Sequence, residues 1–250
     1  MEIKSVYILW LRQVKKYFRS KSRIIGSLGQ PLLFLLAFGF GFGPIFAKAG
    51  GGNYLDFIIP GIIAMTILFT AMFNGIEVIW DRQFGFLKET LVAPVPRIKI
   101  MIGRTLGGAT VSVFQGLLVL IISMIFGFAI GNIWMIPVAI LIMFLIALLF
   151  TAFGTAIASW MEDMHGFQLI MNFLMMPMFF LSGALFPLDG LPEPLGLITK
   201  FNPLTYGVDG LRAALTGNSQ FGLPFDLMIL IIVTSIFLWI GSYSFSKIQL

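Results

Sequence analysis

The sequence predicts an all-α integral membrane protein with six transmembrane helices. Hydrophobic residues make up 58% of the 250 residues and charged residues only 11%, whereas a soluble domain carries about 25% charged residues. Apolar runs long enough to cross a bilayer recur along the chain. Lysine and arginine concentrate in alternate connections between these runs, which is typical of a membrane protein with a fixed orientation. Further short helices are predicted at the N-terminus, in one cytosolic connection and in one extracellular connection.

The composition also excludes several classes of function. The net charge is +5, but the cations flank the apolar runs, so nucleic acid is not a predicted partner. The chain contains no cysteine, and disulfides are therefore excluded. It has neither a P-loop for ATP nor the zinc-protease or serine-hydrolase motifs, and His165 is its single histidine. We therefore predict no catalytic and no metal-binding residue.

Residues 2–20 have the pattern of an amphipathic helix. At 100° per residue, the apolar side chains cover a stripe of about 120° and the cations lie opposite. The stripe consists of Ile3, Val6, Tyr7, Trp10, Val14, Tyr17 and Phe18. The cations are Lys4, Arg12, Lys15, Lys16 and Arg19. We predict an interfacial helix lying flat in the headgroup layer of the cytosolic leaflet, in contact with membrane lipid. The alternative is a basic flank that only sets the orientation of the chain.

The six predicted spans follow from the lengths of the apolar runs. A helix over residues 24–46 would be about 34 Å long, which exceeds the roughly 30 Å hydrocarbon core. The spans cover residues 24–46, 57–79, 106–128, 133–160, 167–185 and 225–245. Pro177 is expected to kink the fifth span.

The second span carries a polar stripe. Its members, which fall within about 80° of arc on a helix, are Thr66, Thr70, Asn74 and Glu77. Such side chains are costly to expose to lipid. The stripe is therefore expected to face either another helix or a water-filled substrate path, and the sequence leaves both readings open.

A charged segment, residues 82–94, separates the second and third spans. Phe84, Leu87 and Leu91 are spaced at i, i+3 and i+7, so a helix here would have one apolar side. Pro94 would end that helix. We predict a short cytosolic helix that docks on a soluble partner, takes force from it and passes that force to the spans.

Residues 186–217 are too apolar for a free loop and too rich in proline and glycine for a span. Asn202 and Pro203 have the arrangement of an N-cap and a first helical residue, and Gly217 suits a helix end. Residues 203–216 should therefore form a short helix. We expect short helices here to dip into the outer leaflet, shielded by neighbouring protein.

Within the predicted outer helix, Asp209 and Arg212 are three residues apart. Opposite charges at this spacing lie on the same side of a helix. We therefore expect an ion pair between them.

The distribution of cations sets the predicted orientation. Six spans with a cytosolic N-terminus place thirteen Lys and Arg residues on the cytosolic side and three, Lys48, Lys200 and Arg212, outside. The positive-inside rule then places both termini in the cytosol. The predicted location is the plasma membrane.

Two passages resemble a known family. WDRQFGFLKETLVAPVPR, residues 80–97, resembles the cytosolic loop of the ABC type 2 export permeases; the matching positions are Asp81, Arg82, Gly85, Leu87, Glu89, Leu91, Pro94 and Arg97. SGALFPLDGLP, residues 182–192, and FNPLTYGVDGLR, residues 201–212, resemble the daunorubicin-resistance and lipooligosaccharide-export subgroup. Lys88 departs from the family, which often has a small residue or threonine there. The basic N-terminal helix and six spans agree, so the resemblance covers nearly the whole chain.

The resemblance implies a permease that dimerises, most simply as a homodimer along the first and fifth spans, and binds two separate ABC ATPase subunits. ATP and Mg²⁺ would be bound by those ATPases, so no cofactor is expected in this chain. Closure of the ATPases would move the spans and expel a hydrophobic or amphipathic substrate, such as a drug-like compound, a lipid or a glycolipid. The chain itself would be a transport subunit and not an enzyme.

The resemblance also implies roles for individual residues. The coupling helix that sits in an ATPase groove would include Arg82, Gly85, Leu87, Lys88, Glu89, Leu91 and Pro94. The helices after the fifth span would close the outer side and would include Pro187, Asn202, Pro203, Tyr206, Asp209 and Arg212.

The residues alone leave two other functions open. An integral-membrane enzyme that modifies lipids would need an activity that survives without an ATPase partner. An ion-coupled carrier would be driven by a proton or sodium gradient alone, and such carriers usually hold a carboxylate or lysine in the middle of a span. The predicted spans place no such residue there.

Overall fold

The computed structural model describes residues 2–43, 54–86, 95–188 and 192–247, and every regular element in these ranges is helical. The α-helices are α1 (Glu2–Arg19), α2 (Lys21–Phe34), α3 (Tyr54–Phe73), α4 (Ile76–Gln83), α5 (Arg97–Ile125), α6 (Ile136–Trp160), α7 (Met164–Phe180), α8 (Glu193–Phe201), α9 (Pro203–Thr216) and α10 (Leu223–Ser246). A π-helical turn, Leu35–Phe40, extends α2, and a 3₁₀ turn, Ile133–Met135, precedes α6. The predicted all-α class is confirmed.

Five helical stretches among the described residues are long and apolar enough to cross a membrane. They are Lys21–Gly43, Tyr54–Gln83, Arg97–Ile125, Ile133–Trp160 and Leu223–Ser246. The helix α7 is apolar but has 17 residues, which corresponds to about 26 Å and falls short of the roughly 30 Å hydrocarbon core. Five of the six predicted spans thus have counterparts of crossing length, whereas the fifth in order, predicted over residues 167–185 and represented by α7, stays a prediction as a span.

The third span begins earlier than predicted. Helix α5 starts at Arg97 and not at residue 106. The prediction treated the cations of this stretch as a boundary. In the structure Arg97 donates to the carbonyl oxygen of Ser246 at 2.6 Å, and Arg104 is buried beside Asp81. Because these charges have partners within the protein, the helix continues through them.

The second span, predicted over residues 57–79, is interrupted between α3 and α4 at Asn74 and Gly75. A Cβ on Gly75 would collide with the carbonyl of Gly154 in α6, and a Cβ on Gly154 would collide with the carbonyl of Met72. Only glycine allows backbones to approach this closely. Direct backbone packing against α6 therefore fixes the position of the interruption.

The helix predicted over residues 82–94 is wrong at its start. Arg82 and Gln83 are the last residues of α4, and Gly85 follows with a φ of 78°, which interrupts an α-helix. The rest of this segment lies outside the described residues, and with it Leu87, Lys88, Glu89, Leu91 and Pro94.

The fifth span, predicted over residues 167–185, both begins and ends earlier, as α7. Asp163 caps its N-terminus by accepting hydrogen bonds from the backbone N–H groups of His165 at 3.2 Å and Gly166 at 2.6 Å. These two donors hold the pKa of the Asp163 carboxyl below its ordinary value. Beyond the helix, Gly183 adopts a φ of 72°. The cap and the turn, rather than apolar length, set the bounds of α7.

The helix predicted over residues 203–216 is confirmed as α9. Asn202 Oδ1 accepts a hydrogen bond from the N–H of Leu204 at 3.1 Å, Pro203 occupies the first helical position, and Gly217 with a φ of 81° ends the helix. This is the N-cap, N1 proline and left-handed end that the residue types indicated.

Helix α1 confirms the amphipathic helix predicted over residues 2–20, and it lies lengthwise along the first half of α5. A Cβ on Gly103 would lie 2.9 Å from the side chain of Leu9, and one on Gly107 would lie 2.6 Å from that of Gln13. Tyr17 packs further along α5. The contacts advance in step along both helices, so part of the apolar stripe covers α5. The predicted position in the headgroup layer stays a prediction.

The bundle has two chemically different ends. At one end α1, α4, the α6–α7 turn and the end of α10 meet; there Gln83 Nε2 donates to the carbonyl of Glu162 at 2.9 Å. At the other end the N–H of Gly131, before α6, donates to the carbonyl of Leu215 in α9 at 2.8 Å. The first end holds most of the cations. We call it the inner end and the other the outer end.

We predict that the two ends face opposite sides of the membrane. Asn132→Cys and Ser219→Cys variants should react with a membrane-impermeant maleimide in intact cells, because both positions are exposed at the outer end. A Gln83→Cys variant should react only after permeabilisation. The parent chain has no cysteine and serves as the blank. Labelling of the Gln83→Cys variant in intact cells would contradict this orientation.

Candidate functional site

A set of charged side chains lies where α1, α2, α4 and α5 meet, and we call it the inner ion cluster. Its two carboxylates, Glu77 and Asp81, are four residues apart and so share one side of α4; each is only 7% exposed. The members of the cluster are Glu77, Asp81, Arg12, Lys16, Arg23 and Arg104. It joins the first two helices of the chain to α4 and α5, through pairs such as Arg23 with Glu77 and Arg12 with Asp81 that are 54 and 69 residues apart.

Glu77 binds cations from the first two helices. Lys16 Nζ of α1 lies 3.4 Å from Glu77 Oε1, and Arg23 Nη1 of α2 lies 3.1 Å from the same oxygen. Both cations are partly exposed, with side chains at 41% and 40%. The carboxylate therefore holds the α1–α2 connection against α4.

Asp81 binds one cation from α1 and one from α5. Arg12 Nη2 lies 3.3 Å from Asp81 Oδ1, and Arg104 donates to Asp81 Oδ2. Arg104 is only 4% exposed. A buried cation of this kind is tolerated because it is paired, and removing its partner is strongly destabilising. The pair between Asp81 and Arg104 therefore fixes α4 to α5.

The end of α4 is also fastened to the α6–α7 turn. Arg82 Nη1 donates to the carbonyl of Met161 at 3.2 Å and Arg82 Nη2 donates to that of Ser159 at 3.1 Å. A cation at the C-terminal end of α6 complements the helix dipole. Arg82 was predicted to contact a partner protein, but the structure places it against this chain, with Glu162 at 3.8 Å.

The predicted polar stripe on α3 and α4 faces other helices of the chain. Thr70 Oγ1 donates to Gln115 Oε1 of α5 at 2.6 Å, and Asn74 Nδ2 donates to the carbonyl of Gly108 at 3.3 Å. Thr66 Oγ1 donates within its own helix, to the carbonyl of Ile62. With Glu77 in the inner ion cluster, each of the four residues has a partner in the bundle.

Gln115 joins three other helices to α5. Its Nε2 donates to the hydroxyl of Tyr17 in α1 at 2.8 Å and to the hydroxyl of Ser27 in α2, while its Oε1 accepts from Thr70 of α3. An amide can make these bonds at once because it offers two donor hydrogens and two acceptor lone pairs. Sequence reasoning missed Gln115, although an amide in the middle of a predicted span was itself the signal.

A cavity of about 210 Å³ lies beside this amide, between α1, α2, α3 and α5. Its polar wall consists of Arg23, Ser27, Gln30, Thr66, Thr70 and Gln115, and its apolar wall of Tyr17, Pro31, Met65, Phe69 and Phe73. Contact with another helix is thus observed for the stripe, while the substrate path stays a prediction, although Thr66 and Thr70 also line this cavity. Ligand pockets usually measure about 300–1,000 Å³, so this cavity is small for a complete substrate site.

The ion pair predicted between Asp209 and Arg212 is not formed. Arg212 Nη2 donates to the carbonyls of Phe57 at 3.3 Å and Gly183 at 2.9 Å, and its guanidinium stacks 4.2 Å from the Phe57 ring centre. Burial lowers the pKa of Arg212 to about 10, against the opposing effect of Asp209, so the group remains charged at neutral pH. The start of α3 and the turn after α7 thus supply the two carbonyl oxygens that bind the guanidinium.

The other predicted residues of the outer end gather around α9. Asn202 Nδ2 donates to the carbonyl of Met178 at 2.6 Å, and the Tyr206 hydroxyl donates to that of Lys200 at 2.8 Å. Pro187 lines an outer crevice of about 240 Å³ together with Asp209 and Arg212. These contacts tie α9 to α7, α8 and the start of α3.

We predict that the inner ion cluster is essential for stability. Asp81→Asn should lower the free energy of unfolding by about 3–5 kcal/mol, because it leaves the buried Arg104 guanidinium without its anion. Thermal unfolding of the purified protein in detergent measures the effect. Glu162→Gln is the matched control, because it breaks the pair with Arg82 in which Glu162 is 88% exposed, and exposed pairs contribute little. Equal melting temperatures for both variants would contradict the prediction.

A family model and several known proteins match most of this chain. A family model described as ABC-2 type transporter matches residues 4–216. The chain is 29% identical over 262 residues to the ycf38 transport permease of Cyanophora paradoxa, covering 98% of this chain and 89% of the relative. It is 26% identical over 229 residues to the inner membrane transport permease YadH of Escherichia coli K12, covering 90% and 89%.

A further relative carries a different name. The chain is 26% identical over 198 residues to nodulation protein J of Rhizobium leguminosarum bv. viciae, covering 78% of this chain and 75% of that protein. The family model spans most of the chain, and the described helices include five of membrane-crossing length. The chain therefore belongs to the ABC-2 type transporter family and is an integral membrane permease subunit of an ABC transporter.

Proposed function

We propose that this permease lies in the plasma membrane with both termini in the cytosol and exports a hydrophobic or amphipathic substrate. The family implies an ABC ATPase partner. We propose that two copies of this ATPase bind the permease, and that ATP and Mg²⁺ bind to the ATPase and not to this chain. The observation that carries the proposal is the position of α4. This helix leads directly into the predicted docking segment, residues 82–94, and contacts the inner ends of most other helices.

Force would pass from the docking segment through α4. The carboxylates of α4 hold α1, α2 and α5 in the inner ion cluster, and Arg82 and Gln83 hold the α6–α7 turn. Movement of the docking segment would therefore reach five other helices together. The interruption at Asn74 and Gly75, with its backbone contact to Gly154, supplies a fixed point about which α4 could tilt relative to α3.

We propose that two copies of the permease enclose the substrate route. The cavity of about 210 Å³ in one chain is below the usual size of a ligand site, so a second wall is needed. Helices α2 and α7 are joined by the Phe34 and Phe179 rings, whose centres are 5.8 Å apart. Both helices present apolar side chains outward, with Leu33 67% exposed and Phe173 76% exposed. These faces support a seam along the first and fifth spans.

The walls of the cavity support the proposed substrate class. Its polar side offers uncharged hydrogen-bonding groups such as Thr70 and Gln115, and its other side offers the rings of Phe69 and Phe73. A molecule with one polar and one apolar part would match both walls. We therefore propose amphipathic export substrates, with lipids, glycolipids and drug-like compounds as the classes to screen.

We predict that Leu87→Asp weakens binding of the ATPase. An apolar anchor of this size contributes on the order of 1.5–3 kcal/mol when buried, so copurification should fall by roughly tenfold or more. Leu197→Asp is the matched control, because Leu197 is 61% exposed on α8 at the outer end and should not affect the partner. Pull-down of the partner ATPase with each permease variant measures the difference.

The same segment should couple ATP hydrolysis to transport through Glu89. Glu89→Ala should leave insertion and dimerisation unchanged and reduce export in vesicles reconstituted with the ATPase, because its carboxylate is expected to pair with a basic residue of the groove. Normal transport by both the Leu87→Asp and Glu89→Ala permeases would show that the segment is a solvated loop and would refute the proposed path of force.

A further inference from the structure

The last span begins with a carboxyl group that has no hydrogen-bond donor among the described residues. Asp226, in the first turn of α10, is 0% exposed. Neither Oδ1 nor Oδ2 accepts a hydrogen bond from any residue that the structure describes. An ionised carboxylate buried in this way is costly unless it is paired with a cation or with hydrogen-bond donors. The described surroundings of Asp226 therefore favour its neutral form.

The polar neighbour of Asp226 is a second buried carboxyl group. Asp209 of α9 is only 3% exposed and precedes Gly210, where an added Cβ would lie 3.8 Å from Oδ2 of Asp226. Asp209 already accepts hydrogen bonds at 2.9 Å from the hydroxyl of Ser219 and from the N–H groups of Gln220 and Phe221. Three donors stabilise an ionised carboxylate. The two carboxyl groups thus have opposite environments, one rich in donors and one without any described donor.

Other charged and titratable groups near the pair are engaged elsewhere. The Tyr206 hydroxyl donates to the carbonyl of Lys200, and burial raises the pKa of this phenol above its ordinary value. Arg212 acts electrostatically on Asp209 but directs its hydrogen bonds to Phe57 and Gly183. Helix α6, which packs against both α9 and α10, contains no charged residue along its length.

The two helices are in direct contact at this point. A Cβ on Gly210, next to Asp209, would lie 3.4 Å from Cβ of Asp226. Two ionised carboxylates on neighbouring turns of such a buried helix contact repel one another, and one of them is then protonated instead. The environments described above decide which one holds the proton.

We propose that Asp209 and Asp226 form a proton-binding site. Asp226 keeps the proton and donates a hydrogen bond through it to the ionised Asp209, and this bond holds α9 against α10. The residues that follow α9, from Gly217 to Gln220, are exposed and give the site access to the outer solution. Loss of the proton leaves two negative charges between the helices and weakens the closure of the outer end. The contact between α9 and the last span is therefore controlled by external pH.

The direction of the pH effect follows from linkage. A carboxyl group that is neutral in the folded protein but ionised in the unfolded chain makes the free energy of unfolding depend on pH. The free energy of unfolding falls as pH rises above about 4, where the carboxyl group of the unfolded chain ionises. The fall ends at the pH where the folded protein also loses this proton. Within that window the melting temperature should fall by about 3–5 °C per pH unit relative to a variant that lacks the titrating group.

The test uses the full-length permease in detergent, with melting temperatures measured from pH 4.5 to pH 9. Asp226→Asn reproduces the neutral, donating form, so we expect it to fold and to lack the part of the pH dependence described above. Asp209→Asn presents an amide to the N–H groups of Gln220 and Phe221, and it should lower the melting temperature at every pH. Asn218→Ala, in the exposed turn, is the control that should follow the parent protein.

Two outcomes would overturn the proposal. The first is a melting temperature of Asp226→Asn that follows the parent protein in parallel over the whole pH range. The second is failure of Asp226→Asn to accumulate as folded protein, because a neutral donor at this position should be tolerated. A direct readout comes from Ser219→Cys, whose rate of reaction with maleimide is divided by that of a free thiol at the same pH, since thiolate formation alone raises the rate. This ratio should rise with pH in the Asp226 background and stay constant with Asp226→Asn.

Discussion

The removal of two carboxylates of α4 from water constrains the whole inner end of the permease. Glu77 and Asp81 are nearly buried, and a buried anion requires cations held in place around it. No single neighbouring helix supplies enough of them, so α1, α2 and α5 each contribute. Helix α1 reaches this position because Gly103 and Gly107 of α5 present no side chain toward it. The packing of α1 and the ion cluster therefore depend on each other.

The outer end satisfies its polar groups differently. Arg212 binds backbone carbonyls rather than a carboxylate, and Asp209 binds the turn that follows its own helix. These bonds hold the short helices to one another and to the start of α3. Between the two ends, Thr70 and Gln115 form the main polar contact across the bundle. Helices α3 and α4 thus connect a charged inner end to an outer end in which Arg212 and Asp209 bind backbone groups.

Local signals predicted the local structure well. The N-cap and C-terminal glycine of α9, the amphipathic α1 and the apolar lengths of five spans all depend on neighbouring residues, and the structure contains them. The failures involve distant partners. The start of α5 was placed too late because the partner of Arg104 lies 23 residues away. The pairing of Asp209 with Arg212 failed because tertiary carbonyls and a turn compete for both side chains. Spacing along one helix contains no information about such competitors.

The inner ion cluster also has a consequence for how the chain is made. Arg12 and Arg23 are synthesised well before their anionic partners, which follow 69 and 54 residues later. During translation the first helix therefore emerges with its cations unpaired and is held only by water and lipid headgroups. It can take its final place along α5 only after the second and third spans have entered the membrane. Helix α1 is thus synthesised before α4 and α5 but can be positioned only after them.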